Sequence, residues 1–441
     1  MLFSNHDIRK LIIPLMLEQI LGITIGAVDS MMVAGSGESV LSGVSLVNTL
    51  NTLSVYLFSA MTTGGSVIIS QAYGKGKQDD VRRASKQLVW ASFFVALAIT
   101  IVCMILHKKI LTLAFGSVEA EVMRSASVYF FIMLMSYPLS AVNNGVTSVM
   151  RVGGDTKTPL KISLLTNVLN VIGNAVFIIV LDMGAAGAAI ASLLSLIIST
   201  IIRVVVIHRK DREVYIDNIF SYKPDWGMIR RICSIGIPNA LEHSTVQFGK
   251  ILTMSLISGF GTYQIAANSV CGTLANYQLI PGGAVCTIMV IIVGRCIGAG
   301  EKQESRRYVL KLIRLAYYMT IPVCLIMCLS SPLLMKLYSL SDEAAYLGQK
   351  LLLLNSVGMC TLWPLGCIFP SAFRAAGDVK YPMVVSVMSM WLMRISMSYL
   401  LGKYMGMGVM GVWCAMVFEW LVKTIIFGLR FIRGTWLEKI I

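Results

Sequence analysis

The chain has 441 residues, of which 56% are hydrophobic and 13% charged, whereas about 25% of the residues of a soluble domain are charged. This composition, with a mean hydropathy of +0.76, excludes an ordinary soluble domain and predicts a polytopic membrane protein. The net charge of +15 does not indicate a nucleic-acid partner, because the basic residues lie in short loops between apolar runs, where they set membrane topology.

The first apolar run, 13–35, carries two acids, Glu18 and Asp29. A bilayer crossing needs about 20 apolar residues, and a charge at its centre is costly unless it is paired, neutralised or hydrated. The two acids are about three helical turns apart and share one stripe of the helix. Gly22 and Gly26 lie close to that stripe, which predicts a closely packed neighbouring helix. We therefore expect both acids to face protein or a cavity.

Nearly uncharged runs predict an all-α protein with about 12 transmembrane helices. Lys and Arg concentrate in every second loop, while the alternate loops hold few, among them Lys108, Lys336 and Lys403. Because cytoplasmic loops carry the excess of basic residues, we expect a multi-pass plasma-membrane protein with both termini in the cytoplasm. The predicted spans are 11–33, 45–69, 87–106, 125–150, 160–181, 184–207, 229–257, 264–293, 312–334, 347–373, 382–401 and 407–429.

The chain contains an internal duplication. Matching residues recur at offsets of 224 and 223: Glu18 with Glu242, Gly35 with Gly259, and the loop 151–159 with 374–382. The predicted organisation is an N-terminal six-helix lobe (1–207), a cytoplasmic linker (208–225) and a C-terminal six-helix lobe (226–441). Because each lobe has an even number of spans, the repeat is parallel, about an axis along the membrane normal. A cleft between the lobes is the expected place for substrate and alternating access.

Helix breaks are predicted from proline and glycine. Pro281, Gly282 and Gly283 are consecutive in the eighth span, and we expect them to break it, since proline removes a backbone hydrogen bond. Pro364 lies in the tenth span. Such sites are bending points in membrane proteins when neighbours or cavity water satisfy the freed backbone groups.

The second lobe has both acids and bases at membrane depth. Glu419 and Lys423 are four residues apart on one helix, a spacing that allows direct pairing. Together with Lys250 and Arg394 they predict a fixed ionic network that stabilises the lobe. Glu242 is the residue of this lobe that we consider most suited to substrate contact or gating.

We expect no Lys or Arg of the first lobe to lie at the same membrane depth as Glu18 and Asp29. Buried carboxylates without a basic partner take up a proton or hold a cation completed by amide and hydroxyl oxygens. We therefore predict a coupling-ion site for a proton or sodium ion at these acids; the alternative is a permanently protonated acid that donates one hydrogen bond to an amide. The amides available in this lobe are Asn48, Asn51, Asn167, Asn170 and Asn174, with Asn48 also a gating candidate.

These features resemble the multidrug and toxic compound extrusion (MATE) transporters. The resemblance rests on the two lobes and on four segments in order: VDSMMVAG (28–35), QAYGKG (71–76), RVGGDTKTP (151–159) and NVLNVIGN (167–174). It implies a secondary antiporter that exports amphipathic or cationic organic compounds in exchange for protons or sodium ions. The first-helix acid of the family corresponds to Asp29 and its fifth-helix amide to Asn170.

Two positions depart from parts of the family. Asn174 stands where some members have a second fifth-helix acid, and Trp363 stands where NorM-like members have an acid on the tenth helix. The resemblance is therefore closer to the DinF-like branch, in which coupling is assigned to the first lobe. We expect small organic substrates and the lipid bilayer as partners, no nucleic acid, a monomer, and no cofactor besides the coupling ion.

Three other functions fit the sequence less well. A lipid-linked saccharide flippase shares the broad architecture but needs a strongly basic cavity for a pyrophosphate headgroup, whereas the first-lobe interior is acidic. A non-transporting receptor or scaffold would not require acids without basic partners. An enzyme would need a catalytic constellation at depth, and the histidines are scattered at His6, His107, His208 and His243. The ten cysteines lie mostly in apolar runs without metal-ligand spacing.

Overall fold

The computed structural model describes residues 3–116, 118–210, 212–217, 219 and 221–438. Its described part is helical and contains no β-strand, which confirms the all-α prediction. The α-helices are α1 (Asn5–Ala34), α2 (Glu38–Gly74), α3 (Gln78–Phe115), α4 (Ala120–Val152), α5 (Lys157–Asn174), α6 (Gly184–Ile207), α7 (Trp226–Ser258), α8 (Thr262–Gly298), α9 (Lys302–Leu329), α10 (Ser331–Leu337), α11 (Asp342–Thr361), α12 (Trp363–Ala375), α13 (Lys380–Ser389) and α14 (Gly408–Arg433).

Length and composition make most of these helices membrane spans. In the described ranges, ten continuous helical segments are long and apolar enough to cross a bilayer, and the bent pair of α11 and α12 makes an eleventh. Helix α7 has 33 residues but is not among them, because polar residues such as Glu242, His243 and Lys250 lower its hydropathy. These twelve units agree with the predicted spans in number and order, but several extend further. For example, α2 and α8 each have 37 residues.

The predicted break in the eighth span is wrong. Helix α8 is continuous from Thr262 to Gly298 and contains Pro281, because a proline removes a single N–H donor while the remaining turns keep theirs. The break lies in the tenth span instead, where α11 and α12 meet at a 47° bend. Pro364 is in the first turn of α12, a position where its missing N–H costs nothing.

Both repeats contain π-helix in the fifth span. Helix α5 passes directly into the π-helix Ala175–Val180. In the second repeat, α13 passes into the π-helices Met390–Ile395 and Ser398–Tyr404. A π-helix is rare and frequently occurs at a functional site, so these segments are candidate locations for one.

The described residues form two compact units. The first takes Ser4–Tyr73 and Lys77–Ala240, and the second takes Phe3, Gly74–Gly76 and the residues from Leu241 onward. Within the first unit, α1 packs on α5 and α6, and α4 packs on α3 and α6. Within the second unit, α8 packs on α9, α11 and α12, and α14 packs on α12.

The segment that joins the two repeats is held against the first unit. Trp90 Nε1 donates a hydrogen bond of 2.6 Å to the carbonyl of Ile219, and Arg212 pairs with Asp155 in the loop between α4 and α5. The side chains of Val214 and Ile216 are buried. The described part of 208–225 is thus a packed segment. The lobe boundaries at 207 and 226 themselves stay predictions from the repeat.

Candidate ion-coupling site

Asp29 on α1 lies against two amides of α5. Asn174 Nδ2 donates a hydrogen bond of 2.7 Å to Asp29 Oδ1. The amide of Asn170 satisfies its neighbours when its nitrogen faces Asp29, at 2.7 Å from Oδ1 and 3.2 Å from Oδ2, while its oxygen accepts from Ser192 Oγ at 3.1 Å. The site therefore joins α1, α5 and α6 through one carboxylate, two amides and a hydroxyl.

The local sequence explains why these groups meet. Asn170 and Asn174 are one turn apart, so both amides lie on one face of α5, the helix on which α1 packs. Both side chains are buried, with exposed fractions of 7% and 1%. Asn174 is also the last residue of α5 before the π-helix Ala175–Val180, so the contact with Asp29 lies at the change of helix geometry.

Asp29 has no basic side chain within 4.0 Å among the described residues. Its described hydrogen-bond partners are N–H donors, which stabilise an ionised carboxylate. Asn174 Oδ1 is buried without a hydrogen-bond partner in the described structure. Because an amide carries both donor and acceptor atoms, rotation of these side chains can present either N–H groups or oxygens to the acid.

Glu18 differs from Asp29, and the premise that it has no basic neighbour is wrong. Arg151 Nη2 lies 2.6 Å from Glu18 Oε2, and Ser163 Oγ donates a hydrogen bond of 2.9 Å to Glu18 Oε1. Arg203 also donates to Ser163 Oγ, at 2.8 Å. The sequence pattern predicts Arg151 in a loop, whereas it lies in the last turn of α4 and contacts Glu18 of α1. This ion pair removes the reason for assigning a coupling ion to Glu18.

The second repeat reproduces this ion pair. Arg374 Nη2 lies 2.7 Å from Glu242 Oε2, and Ser386, offset by 223 from Ser163, interacts with Glu242 as well. Both Glu242 and Arg374 are buried. Glu242, predicted as a substrate or gating residue, is thus paired with Arg374, a base that the sequence pattern places in a loop.

The predicted ionic network of the second lobe is present in part. Glu419 Oε1 lies 2.5 Å from Lys423 Nζ, and Glu419 Oε2 lies 3.4 Å from Arg394 Nη1. Lys250 has no carboxylate oxygen within 4.0 Å among the described residues. The network therefore contains three of the residues expected in it.

The predictions for the glycines of α1 and for Asn48 have different outcomes. A Cβ added at Gly22 or Gly26 would meet no described atom within 4 Å, so the close helix contact predicted there is wrong; both glycines lie on an exposed face of α1. Asn48 accepts a hydrogen bond of 3.3 Å from the hydroxyl of Tyr129. The gating role of Asn48 stays a prediction.

Comparison with known proteins agrees with the repeat. The family model described as MatE matches residues 14–176 and again 238–400, which are offset by 224 residues at both ends. The chain is 24% identical to the "Probable multidrug resistance protein NorM" of Thermotoga maritima, across 99% of this chain and 94% of that protein. It is also 24% identical to the "Uncharacterized transporter YisQ" of Bacillus subtilis, across 97% of this chain and 94% of that protein.

Solved structures share the fold. A structure described as "Crystal structure of MATE in the bent conformation" has a TM-score of 0.90 and 20% identity, covering 98% of this chain and 96% of its own. The "Outward-facing conformation of a multidrug resistance MATE family transporter of the MOP superfamily" has a TM-score of 0.88 with the same identity and coverage. The fold class predicted from the sequence is confirmed. Because the MatE model matches most of the chain in two copies, this multi-pass membrane protein belongs to the MATE family of transporters.

Proposed function

We propose that this chain is a secondary active antiporter that exports amphipathic or cationic organic compounds in exchange for protons or sodium ions. Membership of the MATE family supports transport, and relatives named for multidrug resistance support organic compounds as the cargo. The observation that carries the coupling step is Asp29, a carboxylate whose described partners are two amides and which has no basic side chain within 4.0 Å in the described part of the chain. We assign ion coupling to Asp29, Asn170 and Asn174.

The ionised acid and the occupied acid need different partners. When Asp29 is ionised, the N–H groups of Asn170 and Asn174 stabilise its negative charge. A proton or sodium ion removes that charge, and the complex then needs oxygen acceptors or ligands, which the same amides supply by turning their oxygens inward. Asn174 Oδ1, which has no described hydrogen-bond partner, is an acceptor on the same amide that contacts Asp29. The site thus responds to ion binding through α5.

This response couples the free energy of the ion gradient to alternating access. A ligand shifts a conformational equilibrium only through its different affinity for the two states. With Asp29 ion-free, the outward-facing state holds the organic compound. Ion entry from outside neutralises Asp29, changes its contacts with Asn174 where α5 becomes a π-helix, and releases the compound. The carrier then turns inward and returns the ion to the cytoplasm.

We place ion coupling in the first lobe alone, with a single ion per cycle as the simplest scheme. Asn174 and Trp363 replace the additional acids that some relatives of this type carry, as the resemblance to the DinF-like branch implies. Glu18 and Glu242, each paired with an arginine, are assigned to the scaffold of their lobes. This division separates Asp29, which has no basic side chain within 4.0 Å among the described residues, from Glu18 and Glu242, which each pair with an arginine.

Transport in proteoliposomes tests the proposal. A fluorescent organic cation such as ethidium is offered to the protein while pH and sodium gradients are imposed separately. We expect one of the two gradients to drive transport by the wild-type protein and Asp29→Asn to abolish the driven component, because the amide cannot bind either ion as a carboxylate does.

The matched control is Asp182→Asn. Asp182 is exposed and has φ of 49°, a conformation that asparagine accepts readily. We expect this variant to transport like the wild type. Gradient-driven transport by Asp29→Asn at the wild-type rate would contradict the assignment of the coupling ion, and transport driven by neither gradient in the wild type would contradict antiport itself.

A further inference from the structure

The second unit contains a cavity of about 380 Å³ whose charged lining is mainly basic. Its ionisable Lys, Arg, Asp and Glu residues are Lys250, Arg394, Glu419 and Lys423. When these groups are ionised, three positive charges face one negative charge. A pocket of this size suits a small organic molecule, and a cleft lined by one sign of charge concentrates ligands of the opposite sign.

The single carboxylate is already engaged. Glu419 is 2% exposed and contacts both Lys423 Nζ at 2.5 Å and Arg394 Nη1 at 3.4 Å. Lys250 is exposed to the cavity but has no carboxylate oxygen within 4.0 Å in the part of the chain that the structure describes. Arg394 Nε is also buried without a hydrogen-bond acceptor there. An ionised side chain inside a membrane protein costs free energy unless a group of opposite charge pairs with it. The cavity therefore has positive charge that its one carboxylate does not balance.

The internal repeat shows how the two lobes differ at matching positions. Two residues of α1 at the coupling site correspond, at the offset of 224, to residues that line this cavity: Gly26 to Lys250 and Asp29 to Thr253. The first-lobe acid has thus become a hydroxyl, and a glycine has become a base. The second-lobe cavity is the repeat counterpart of the ion-coupling site with its charge inverted.

Aromatic side chains complete the cavity. Trp363, Trp413 and Trp420 line it, and Trp413 Nε1 donates a hydrogen bond of 2.9 Å to Asn268 Oδ1, which orients the indole. Trp side chains offer large flat surfaces on which aromatic rings pack with favourable geometry. The cavity thus places bases and flat apolar surfaces within one space.

We propose that this second-lobe cavity binds an aromatic organic anion, with Lys250 contacting its carboxylate or sulfonate and the tryptophans packing on its ring. This site goes beyond the exchange of an ion for a cationic compound, since it neither uses Asp29 nor requires an ion gradient. It gives the chain a second ligand class, bound at the repeat counterpart of the coupling site.

Equilibrium dialysis with the full chain in phosphatidylcholine nanodiscs tests this site. The probes are naphthalene-2-sulfonate, the matching cation 2-naphthylmethylammonium, and methanesulfonate, which lacks the ring. We expect saturable binding of naphthalene-2-sulfonate, with the other two at least about tenfold weaker. Lys250→Met should weaken naphthalene-2-sulfonate about tenfold, as expected for loss of a hydrogen bond to a charged group, and Lys250→Arg should retain it.

The control is Lys336→Met. Lys336 lies in α10, is exposed and does not line the cavity, so this variant should bind naphthalene-2-sulfonate like the wild type. Unfolding temperatures of all variants verify that each is folded. Equal binding of the naphthalene cation and anion, or unchanged binding by folded Lys250→Met, would overturn the proposal. So would loss of naphthalene-2-sulfonate binding in nanodiscs that contain phosphatidylglycerol, because it would assign the site to a lipid headgroup.

Discussion

Arg151 Nη2 lies 2.6 Å from Oε2 of Glu18, although the two residues are 133 positions apart in the chain. The second repeat contains the same contact between Arg374 and Glu242, at 2.7 Å. In both lobes the acid comes from the first helix and the base from the end of the fourth. The duplication has thus kept an ion pair that joins the same two spans in each lobe.

Loss of this pair should reduce stability rather than transport. We expect Glu242→Gln to lower the free energy of unfolding by about 3–5 kcal/mol, because it leaves the buried Arg374 without a negative partner. Glu18→Gln should cost less, since Glu18 and Arg151 are more exposed than their counterparts. Thermal unfolding in detergent compares the losses of stability in the two variants. Glu119→Gln, at an exposed residue, is the control, and an effect of Glu242→Gln no larger than this control would contradict the scaffold role.

Asn174 should tune the affinity of the coupling ion. Removal of its amide in Asn174→Ala deletes a hydrogen bond to Asp29 that is worth about 1.5–3 kcal/mol. We therefore expect the ion concentration for half-maximal export to change by about tenfold or more. Asn167→Ala is the matched control, because Asn167 lies on the same helix and makes no described hydrogen bond. Equal ion dependence in the two variants would remove Asn174 from the site.

Gly282 should be intolerant of a side chain although its helix is continuous. A Cβ at Gly282 would collide with the Trp363 ring, and such overpacking costs about 1–3 kcal/mol. A Cβ at Gly272, which is on the same helix and lines the second-lobe cavity, would meet no described atom within 4 Å. Gly282→Ala should therefore lower the unfolding temperature, whereas Gly272→Ala should leave it unchanged or raise it. The reverse order would contradict the described packing of α8 against α12.

Asp155 should contribute a stability that depends on pH. It lies in the loop between α4 and α5, where Oδ1 accepts from the backbone N–H of Thr158 at 2.9 Å and Oδ2 pairs with Arg212. Burial raises the pKa of this carboxyl, but the hydrogen bonds from Thr158 and the pairing with Arg212 outweigh it, so the pKa lies below its ordinary value of 3.8. The contribution is therefore present above that value and is lost as pH falls through the lower, folded pKa.

Asp155→Asn tests this contribution. At neutral pH the variant should be less stable by about 0.2–1 kcal/mol, because it loses the charge that pairs with Arg212, while the amide oxygen of asparagine can still accept the hydrogen bond from Thr158. The difference from the wild type, followed by thermal unfolding, should shrink as pH is lowered below 4. A difference that grows toward acidic pH would show that the pKa of Asp155 is raised instead.

Features that depend on spacing along the chain were predictable. The pairing of Asn170 with Asn174 on one face follows from their separation by one turn, and the two lobes follow from offsets that recur along the chain. The pairing of Glu419 with Lys423 has the same origin. In each case the geometry of a single helix, or the repetition of a pattern, determines the contact.

Features that depend on how helices rotate against each other were not predictable. Arg151 meets Glu18 only because α4 and α1 turn these faces together, although the recurrence of both residues in the second repeat was a signal that could have revealed the pair. Gly22 was expected at a helix contact, but the neighbour of α1 packs elsewhere. Pro281 was expected to break its helix, yet loss of one donor is tolerated in a well-packed span.

The direct measurement of coupling is ion movement driven by substrate. Proteoliposomes are loaded with the transported organic cation, diluted into substrate-free buffer without an ion gradient, and monitored for uptake of protons or sodium. We predict that the wild-type protein moves one of these ions inward as the compound leaves, and that Asp29→Asn releases the compound without ion uptake. Ion uptake by Asp29→Asn at the wild-type ratio to compound released would contradict the central claim that Asp29 binds the coupling ion.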